Sequence, residues 1–271
     1  MKKCIEYGLI TLMFVLSFVY TNKVANIVKA KDPIMKEIRT MEVTNIESID
    51  AKINGNVIEQ GVIGCSVDVT KSYEAMKMVN EYRDTLLKYK DVIPSKSLRN
   101  IYNYYIVSGN NVNRNISIVV YISNSVSELS KYSIKLNVFL DASMLNNGSI
   151  DMPKNAKVYN GGNSRNYDDI TIEWVNDVIT DSYNKPSYCI NLNQNKDNLD
   201  ICSKNRMHTI NPSLILTKNN VYDIKSKIDN GSIIYVDENN IEMLKSIIDF
   251  ANKKGFNIVY LDELLDERTC K

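Results

Sequence analysis

The chain has 271 residues, of which 44% are hydrophobic and 24% are charged, and its 33 basic and 32 acidic residues leave a net charge of +1. This composition is that of a globular protein and excludes an intrinsically disordered chain, a fibrous repeat and a multi-span membrane protein. A near-neutral charge without a basic block gives no support for a nucleic-acid partner. The single histidine excludes any mechanism that needs two imidazoles.

The first 30 residues have the order of a signal peptide. A positively charged start precedes the uncharged stretch 7–22, which has an apolar centre, and a cleavage site is expected at Val28-Lys29-Ala30. A membrane-spanning helix needs about 20 apolar residues, so this stretch is short for a stable anchor. An uncleaved signal anchor is the alternative. In both cases we predict export of the remaining chain, which is then either secreted or anchored to the membrane by residues 5–22.

Four cysteines follow this segment, an even count that favours disulfides in an exported protein. They are Cys65, Cys189, Cys202 and Cys270. Cys189 and Cys202 are close in sequence and flank a polar, asparagine-rich stretch, so we favour a bridge between them, with Cys65–Cys270 as its companion. Four free thiols are the alternative. No pair has the spacing of a CxxC motif or of a zinc finger, so a metal site at these cysteines is not expected.

The elements predicted in the N-terminal third are short. Residues 31–50 are polar and lack strand alternation, which indicates a linker between a membrane segment and the body of the protein. Residues 57–69 have the composition of short strands interrupted by glycines. Between Tyr73 and Tyr89, apolar residues recur at steps of three and four, which predicts one amphipathic helix capped by Thr70 or Ser72.

After residue 112 the pattern becomes one of strands alternating with helices. The near-continuous apolar run 116–122 is typical of a strand that is buried on both faces. The elements predicted next are a polar helix at 125–131, strands at 134–140 and 156–159, a helix at 170–179, and strands at 188–190 and 209–216. The last predicted elements are a helix at 222–228, a strand at 232–236, a helix from Asn239 or Asn240 to Gly255, a strand at 256–261 and a helical turn at 262–266. Strand–helix–strand units with short connections imply parallel strands and an α/β fold.

Three segments near the C-terminus carry a resemblance to a known family. They are the strand Gly231-Ser232-Ile233-Ile234, the helix pattern 242–248, and the stretch 254–265, which begins Lys-Gly-Phe-Asn and ends Asp-Glu-Leu-Leu. Members of the family typically read G-S-I-I-L, then a long helix, then G-Y-x-F/I-V-x-L-x-E-L-L. With the strand–helix–strand pattern 116–140 upstream, the chain resembles the polysaccharide deacetylases of the NodB-homology family over residues 112–267.

The resemblance implies a fold and a domain organisation. The fold would be α/β, a distorted and incomplete (β/α) barrel that binds ligands at the carboxyl ends of its strands. The predicted organisation is a signal peptide or anchor at 1–30, a linker and N-terminal α/β extension at 31–111, and a polysaccharide deacetylase-like domain at 112–271.

The catalytic motifs of the family are missing from this sequence. The family's Asp-Asp pair after the first strand is replaced by Ser123-Asn124-Ser125, and its H-x-x-x-H metal ligands would fall in 159–165, where no imidazole occurs. Its R-x-P-Y/F segment is echoed only by Lys185–Tyr188, and its late histidine is replaced by Asp237-Glu238. His208 lies far from both family positions and is expected to be structural. A catalytic zinc ion needs about three protein ligands, so we expect a degenerate site with no metal and no cofactor.

Polar residues at the predicted carboxyl ends of strands could still line a ligand groove. The groove candidates are Asn124, Asp141, Asn160 and Asp237. Asp141, Asp237 and Glu238 are also candidates for catalysis, because two acids facing one cleft could form a hydrolytic pair or a Ca²⁺ site. Asp168-Asp169 is interpreted instead as an N-cap cluster of the helix 170–179.

These observations predict an exported polysaccharide deacetylase-like protein that acts on or binds cell-envelope carbohydrate and is catalytically degenerate. Its abundant tyrosines and asparagines suit this function, because aromatic rings stack on sugar rings and amides bond hydroxyls. The expected partner is a cell-wall or surface polysaccharide, with no nucleic acid and with the membrane contacted only through the N-terminal segment. One alternative is an active carbohydrate hydrolase or deacetylase that cleaves amide C–N bonds with a non-family carboxylate site. The other is an envelope protein-interaction module whose interface is residues 36–111.

Overall fold

The computed structural model describes residues 2–109, 113–147 and 150–270. The strands are β1 (Lys52–Asn54), β2 (Val57–Glu59), β3 (Gly64–Val67), β4 (Tyr89–Val92), β5 (Tyr105–Ile106), β6 (Asn115–Ile122), β7 (Leu136–Leu140), β8 (Ala156–Asn160), β9 (Tyr188–Ile190), β10 (His208–Ile210), β11 (Leu214–Leu216), β12 (Ile233–Asp237) and β13 (Asn257–Ile258). The α-helices are α1 (Lys2–Lys31), α2 (Pro33–Thr40), α3 (Val69–Val79), α4 (Asp169–Ser182), α5 (Lys196–Lys204), α6 (Val221–Lys227), α7 (Leu244–Lys254) and α8 (Leu261–Leu264). Short 3₁₀ helices cover Met41–Thr44, Asp84–Leu86, Ser127–Lys131, Ala142–Asn147 and Glu238–Met243.

The chain forms two compact units. The small unit contains the residues up to Ser48, Ile63–Ile93 and the residues from Arg268 onward, and the barrel unit contains Ile49–Val62 and Pro94–Glu267. This division differs from the boundary at residue 111 that was predicted from the sequence. The reason is that β1, β2 and β5 pair into one sheet with β10 and β9, so these early strands belong to the barrel unit.

Part of the predicted linker is a helix. In the stretch 31–50, Asp32 caps α2 by accepting a hydrogen bond of 3.0 Å from the Ile34 amide, and Pro33 occupies the first turn, where a missing N–H is not needed. Ile38 is fully buried in a cluster that also contains residues of α3. The prediction of a linker was wrong here because eight residues contain too few turns for a helical period to stand out.

The helix predicted from Tyr73 to Tyr89 is shorter than expected. Its N-cap is Asp68, not Thr70 or Ser72, and it ends at Asn80, whose φ of 50° lies in the left-handed region. Asparagine tolerates this conformation at a helix end. The remainder of the apolar pattern contributes to a 3₁₀ turn and to β4, which pairs antiparallel with β3.

Helix α1 covers most of the segment predicted as a signal peptide or anchor. Within the described ranges, no helix is both long and apolar enough to cross a membrane.

The barrel unit is built on parallel strands, as the sequence predicts. One sheet has the order β11–β12–β6–β7–β8, with β13 beside the start of β6, and all these pairs are parallel. The other sheet has the order β1–β2–β5–β10–β9, in which β5, β10 and β9 are parallel. The rings of Tyr159 on β8 and Tyr188 on β9 meet edge to face at 5.3 Å, so the strand succession continues from one sheet into the other.

Alternation along the strands separates an inner from an outer core. On β6, Val119 and Tyr121 belong to the inner cluster, whereas Ile118 and Val120 belong to the outer cluster. The inner cluster also contains Phe139, Tyr159, Tyr188, Ile210 and Tyr235. The outer cluster contains the buried faces of α4, α6 and α7. Parallel strands covered by helices on the outside and filled with side chains inside are the features of a (β/α) barrel.

Two helix ends match the sequence-based predictions. Asp168 caps α4 by accepting hydrogen bonds from the amides of Ile170 at 3.1 Å and Thr171 at 2.8 Å. Helix α7 ends at Gly255, whose φ of 73° is the left-handed conformation expected at a helix C-terminus.

Two other predictions near β9 and β10 were wrong. Helix α5 was missed because its asparagine-rich neighbourhood resembles a loop, although Leu199 and Cys202 give it a buried face. The predicted strand 209–216 is two strands, because Pro212 between them has no amide hydrogen for a continuous ladder.

Both favoured cysteine pairs form disulfides. Cys189 on β9 is bonded to Cys202 on α5, and both residues are fully buried in the barrel unit. Cys65 on β3 is bonded to Cys270, and both belong to the small unit.

Candidate functional site

The predicted groove residues lie at one edge of the barrel unit. Strands β6, β7, β8 and β12 are parallel, so their carboxyl ends meet at the same edge, where ligands bind in barrels of this kind. The four candidates follow or end these strands, as expected. Their side chains, however, point to different neighbours, and only Asp141 joins the cluster that lines the mouth of the barrel.

Asn160 faces away from the barrel interior. It is fully buried, its amide nitrogen donates to Asn176 Oδ1 on α4 at 2.9 Å, and its Oδ1 accepts from the Gly162 amide at 2.8 Å. The preceding Tyr159 faces inward, so strand alternation directs Asn160 toward the helix. The Asn160 side chain therefore links α4 to the loop after β8 by hydrogen bonds.

Asn124 and Glu238 are bonded to each other. Glu238 Oε2 accepts hydrogen bonds from the amides of Ser123 at 2.7 Å and Asn124 at 2.8 Å, and the Asn124 side chain bonds the other carboxylate oxygen. Burial raises the pKa of Glu238, but these hydrogen bonds outweigh it and hold the pKa below its ordinary value. The loop that would carry the family's Asp-Asp pair is thus tied to an acid at the end of β12.

Asp237 serves as a cap. Its Oδ1 accepts hydrogen bonds from the Asn239 amide at 3.1 Å and from the Asn240 side chain at 2.8 Å, which fixes the start of the 3₁₀ helix that follows β12. This local role uses one of the two carboxylate oxygens of Asp237.

Asp141 is the most completely bonded of the candidates. It is only 3% exposed. Its Oδ1 accepts from the amide and the hydroxyl of Ser143 at 2.9 and 2.6 Å, and its Oδ2 accepts from the Ser164 amide at 2.6 Å and from the Tyr121 hydroxyl. Burial raises the pKa of Asp141, but the hydrogen bonds outweigh it and keep the pKa below its ordinary value. The carboxylate is therefore ionised at neutral pH, with both oxygens engaged.

Arg165 reaches into the same mouth. Its Nη1 donates to the Tyr235 hydroxyl at 2.9 Å, and its guanidinium carbon lies 5.0 Å from the centre of the Tyr121 ring. Burial raises the pKa of Tyr235 to about 12, although Arg165 acts in the opposite direction. We call Tyr121, Asp141, Arg165 and Tyr235 the mouth cluster.

A strained turn presents this arginine. Asn163 and Asn166 exchange backbone hydrogen bonds of 2.8 and 2.9 Å around Ser164 and Arg165, whose φ angles are 50° and 66°. Positive φ at both central residues is the geometry of a type I′ turn, which normally carries Asn-Gly. The Ser164 amide bonds Asp141, and the Asn198 side chain donates to the Arg165 carbonyl at 3.1 Å, so the surroundings hold the turn in place.

A polar cleft adjoins the mouth cluster. Its volume is about 250 Å³. We call it the asparagine cleft, and it is lined by Ser164, Arg165, Asn166, Asn191, Leu192, Asn193, Asn195 and Asn198. Asn191 and Asn198 are buried and bond the loops on either side, so they form the walls. Asn193 is exposed, and its amide makes no hydrogen bond within the described part of the chain.

His208 lies at the opposite edge of the barrel unit. It begins β10, and its ring stacks on Tyr102 with centroids 4.5 Å apart. Burial lowers the pKa of His208 to about 4, so the imidazole is neutral at pH 7. This stacked position fits the structural role expected from the sequence.

The residues of the mouth do not fit a catalytic metal ion. Nowhere in 2–109, 113–147 or 150–270 do three or more His, Cys, Asp or Glu side chains come together as a metal would require. The loop where the family's histidines would fall brings a guanidinium to the mouth, and the oxygens of Asp141 are occupied by hydrogen-bond donors. A divalent cation at the mouth would be repelled by the Arg165 guanidinium, and the oxygens of Asp141 would not be free to bind it.

Sequence reasoning missed three members of the mouth cluster. Tyr121 and Tyr235 carried a signal, because each is a hydroxyl-bearing residue one or two positions from the end of an apolar strand, in the inward register. Arg165 carried none, since its place depends on a turn with two positive φ angles for which its sequence, Ser-Arg, is atypical.

Comparisons with known proteins identify the fold. No known family profile matches the chain. The uncharacterised protein YlxY of Bacillus subtilis is 24% identical in an alignment of 243 positions, which covers 76% of this chain and 75% of YlxY. The crystal structure of BA3943 from Bacillus anthracis, described as a CE4 family pseudoenzyme, matches 89% of this chain and 97% of its own, with a TM-score of 0.57 and 19% identity. A BA3943 mutant described as having restored enzymatic activity matches 87% of this chain and 99% of its own, again with a TM-score of 0.57 and 19% identity.

The shared fold agrees with the family that the C-terminal motifs resemble. The fold of this chain is the NodB-type (β/α) barrel that is also found in the CE4 polysaccharide deacetylases.

Proposed function

We propose that this protein is an exported, catalytically degenerate polysaccharide deacetylase-like protein that binds cell-envelope carbohydrate at the mouth of its barrel. The observation that carries the proposal is the mouth cluster itself. At the edge where this fold holds its ligands, a guanidinium and two tyrosines surround a fully bonded carboxylate. This arrangement favours binding over hydrolysis.

The state of Asp141 argues against acid–base catalysis. A general base needs a free lone pair within reach of the proton it takes, and a general acid needs a pKa near the working pH. The hydrogen bonds of Asp141 occupy both oxygens and hold its pKa low. Asp237 and Glu238 are likewise engaged as a cap and as a loop anchor.

The asparagine cleft supports a carbohydrate ligand. Sugar hydroxyls both donate and accept hydrogen bonds, and a side-chain amide can do the same, because it carries an NH₂ donor and a carbonyl acceptor. Asn193 presents such an amide beside the guanidinium of Arg165. The fold shared with BA3943, which is described as a CE4 family pseudoenzyme, supports the catalytically degenerate part of the proposal.

The cysteine pairs support export. A disulfide with both sulfurs buried in the barrel unit and a second one in the small unit suit an oxidising compartment. The charge and apolar order of residues 1–30 support a signal or an anchor.

Binding of a defined glycan tests the proposal. We expect the full chain to bind soluble, peptide-free glycan strands of peptidoglycan, as measured by isothermal titration calorimetry. Tyr235→Phe should weaken this binding about threefold to tenfold, because it removes the hydroxyl that accepts from Arg165.

The matched control is Tyr222→Phe, the same change at an 88% exposed tyrosine on α6, which should bind as the wild type does. Circular dichroism shows whether each protein is folded. A folded wild-type chain that binds no strands would overturn the proposal. If Tyr235→Phe binds the strands as tightly as the wild type does, the glycan does not bind at the barrel mouth.

A further inference from the structure

Arg165 brings an uncompensated positive charge to the mouth of the barrel. A guanidinium has five N–H donors, and only Nη1 has a hydrogen-bond partner in the described part of the chain, the Tyr235 hydroxyl. Its other neighbour is the face of Tyr121. No carboxylate among the described residues forms an ion pair with it, because the acid of the mouth, Asp141, is bonded to other donors.

The position of Arg165 is also fixed before any ligand binds. Ser164 and Arg165 both have positive φ in a turn that normally carries Asn-Gly. Such strain persists only where the surrounding structure fixes it, and it is concentrated at functional positions. Asp141 fixes the turn through the Ser164 amide, and Asn198 fixes it through the Arg165 carbonyl.

The chemistry of this arrangement selects one kind of group. A guanidinium presents a planar fork of donors that matches a carboxylate, and it forms its strongest hydrogen bonds with anions. The asparagine cleft beside it is lined mostly by neutral amide side chains, a group that can bond hydroxyls, and no second cation of the described residues lines the cleft. A ligand that offers a single carboxylate among hydroxyl groups complements both parts.

We propose that the barrel mouth recognises a carboxylate-bearing glycan and that Arg165 binds the carboxylate. This inference rests on the proposed carbohydrate binding and adds the class of sugar. The carboxylate bonds the unused guanidinium N–H groups, while the sugar hydroxyls meet the amides of the asparagine cleft.

Removing the charge from the glycan tests the inference. The probes are the peptide-free peptidoglycan strands, whose alternate sugars carry a carboxylate, and the same strands after reduction of each carboxylate to an alcohol. We expect the full wild-type chain to bind the carboxylate form about tenfold more tightly than the reduced form in calorimetry. Arg165→Gln should lose this preference, whereas Arg165→Lys, which keeps the charge without the fork, should retain part of it.

Arg114→Gln is the matched control. Among the described residues, the Arg114 side chain also makes one hydrogen bond, to the Lys254 carbonyl, and one ring contact, with Phe256, but it precedes β6 at the opposite edge of the sheet. This variant should keep the wild-type preference. Equal affinity of the wild type for both strand forms, or an unchanged preference in Arg165→Gln, would overturn the inference and leave the proposed function standing. Failure of the folded wild type to bind either form would overturn the proposed function as well.

Discussion

At the scale of single residues, Asp141 organises the barrel mouth. It joins the end of β7 to the side chain of Tyr121 on β6 and to the turn that carries Arg165. A buried carboxylate that accepts several hydrogen bonds is strongly stabilising when complete, and costly when one partner is removed. We therefore assign Asp141 to positioning the mouth rather than to chemistry.

Replacing this carboxylate should destabilise the fold. Asp141→Asn puts an amide NH₂ among groups that donate, so at least one buried donor loses its acceptor, at a cost of about 2 to 4 kcal/mol. Urea unfolding at pH 7 measures the loss. The control is Asp168→Asn, the same change at the cap of α4, where asparagine caps as well as aspartate and the expected change is under about 0.5 kcal/mol.

The cost of Asp141→Asn should depend on pH. The folded-state pKa of Asp141 lies below its ordinary value of 3.8, so its stabilisation is complete above that value and is lost as the pH falls through the lower folded pKa. The stability gap between wild type and variant should therefore narrow as the pH falls below about 4. If the difference in the free energy of unfolding between wild type and variant stays constant below pH about 4, Asp141 is not the bonded carboxylate described above.

The contrast between Asp141 and Arg165 shows what a sequence can predict about a site. Asp141 was placed at the barrel mouth because a polar residue directly after an apolar strand must lie at the carboxyl edge. The partners of Asp141 could not be predicted, since they come from β6 and from a turn 23 residues along the chain. Contacts of this kind depend on register and turn geometry rather than on local composition.

At the scale of elements, the turn after β8 determines the form of the mouth. It places two non-glycine residues, Ser164 and Arg165, at positive φ one position beyond the pair Gly161-Gly162. Gly162 itself has a φ of 68°, and a side chain there would collide with the Asn166 carbonyl. The loop thus has a glycine at the position where a side chain would collide with the backbone, and a strained non-glycine residue at the position whose side chain, that of Arg165, reaches the mouth.

Two substitutions in this turn should have opposite effects. Ser164→Gly keeps the amide that bonds Asp141 and relieves the left-handed strain, so we expect a gain of about 1 kcal/mol in the free energy of unfolding. Gly162→Ala introduces strain and a collision, so we expect a loss of at least about 1 kcal/mol. Chemical denaturation measures both variants. Destabilisation by Ser164→Gly would contradict the assignment of strain to this turn.

The elements that were missed share a physical cause. Helices α2 and α5 have only eight and nine residues and lie in polar stretches, so no clear helical period marks them, whereas the seven-residue α6 is followed by the turn signal Asn230-Gly231 and was predicted. The apolar pattern of α3 continued past Asn80 because the same residues serve a 3₁₀ turn and a strand. Strand β6 was predicted from its apolar run, and the end of α7 from Gly255. The start of α7 was wrong: it was predicted at Asn239 or Asn240, but a 3₁₀ helix capped by Asp237 comes first and α7 begins at Leu244.

At the scale of the whole molecule, the parallel α/β class followed from the C-terminal strand–helix–strand pattern. The division into a small unit and a barrel unit did not, because it depends on distant pairings, of β2 with β5 (Val57 with Tyr105) and of β5 with β10 (Tyr105 with Thr209). The fold is that of an enzyme family, while the mouth holds an arginine and a fully bonded aspartate. The central claim is therefore a barrel that binds glycan without hydrolysing it.

The most direct measurement is acetate release by the full, folded chain from N-acetylated peptidoglycan strands, with and without added Zn²⁺ or Co²⁺, in the same samples that are tested for strand binding. We expect binding with no acetate above the level of a protein-free blank, whether or not metal is added. Acetate release that requires the metal would contradict it, because a metal site would then have to form beside Arg165 and the bonded carboxylate of Asp141.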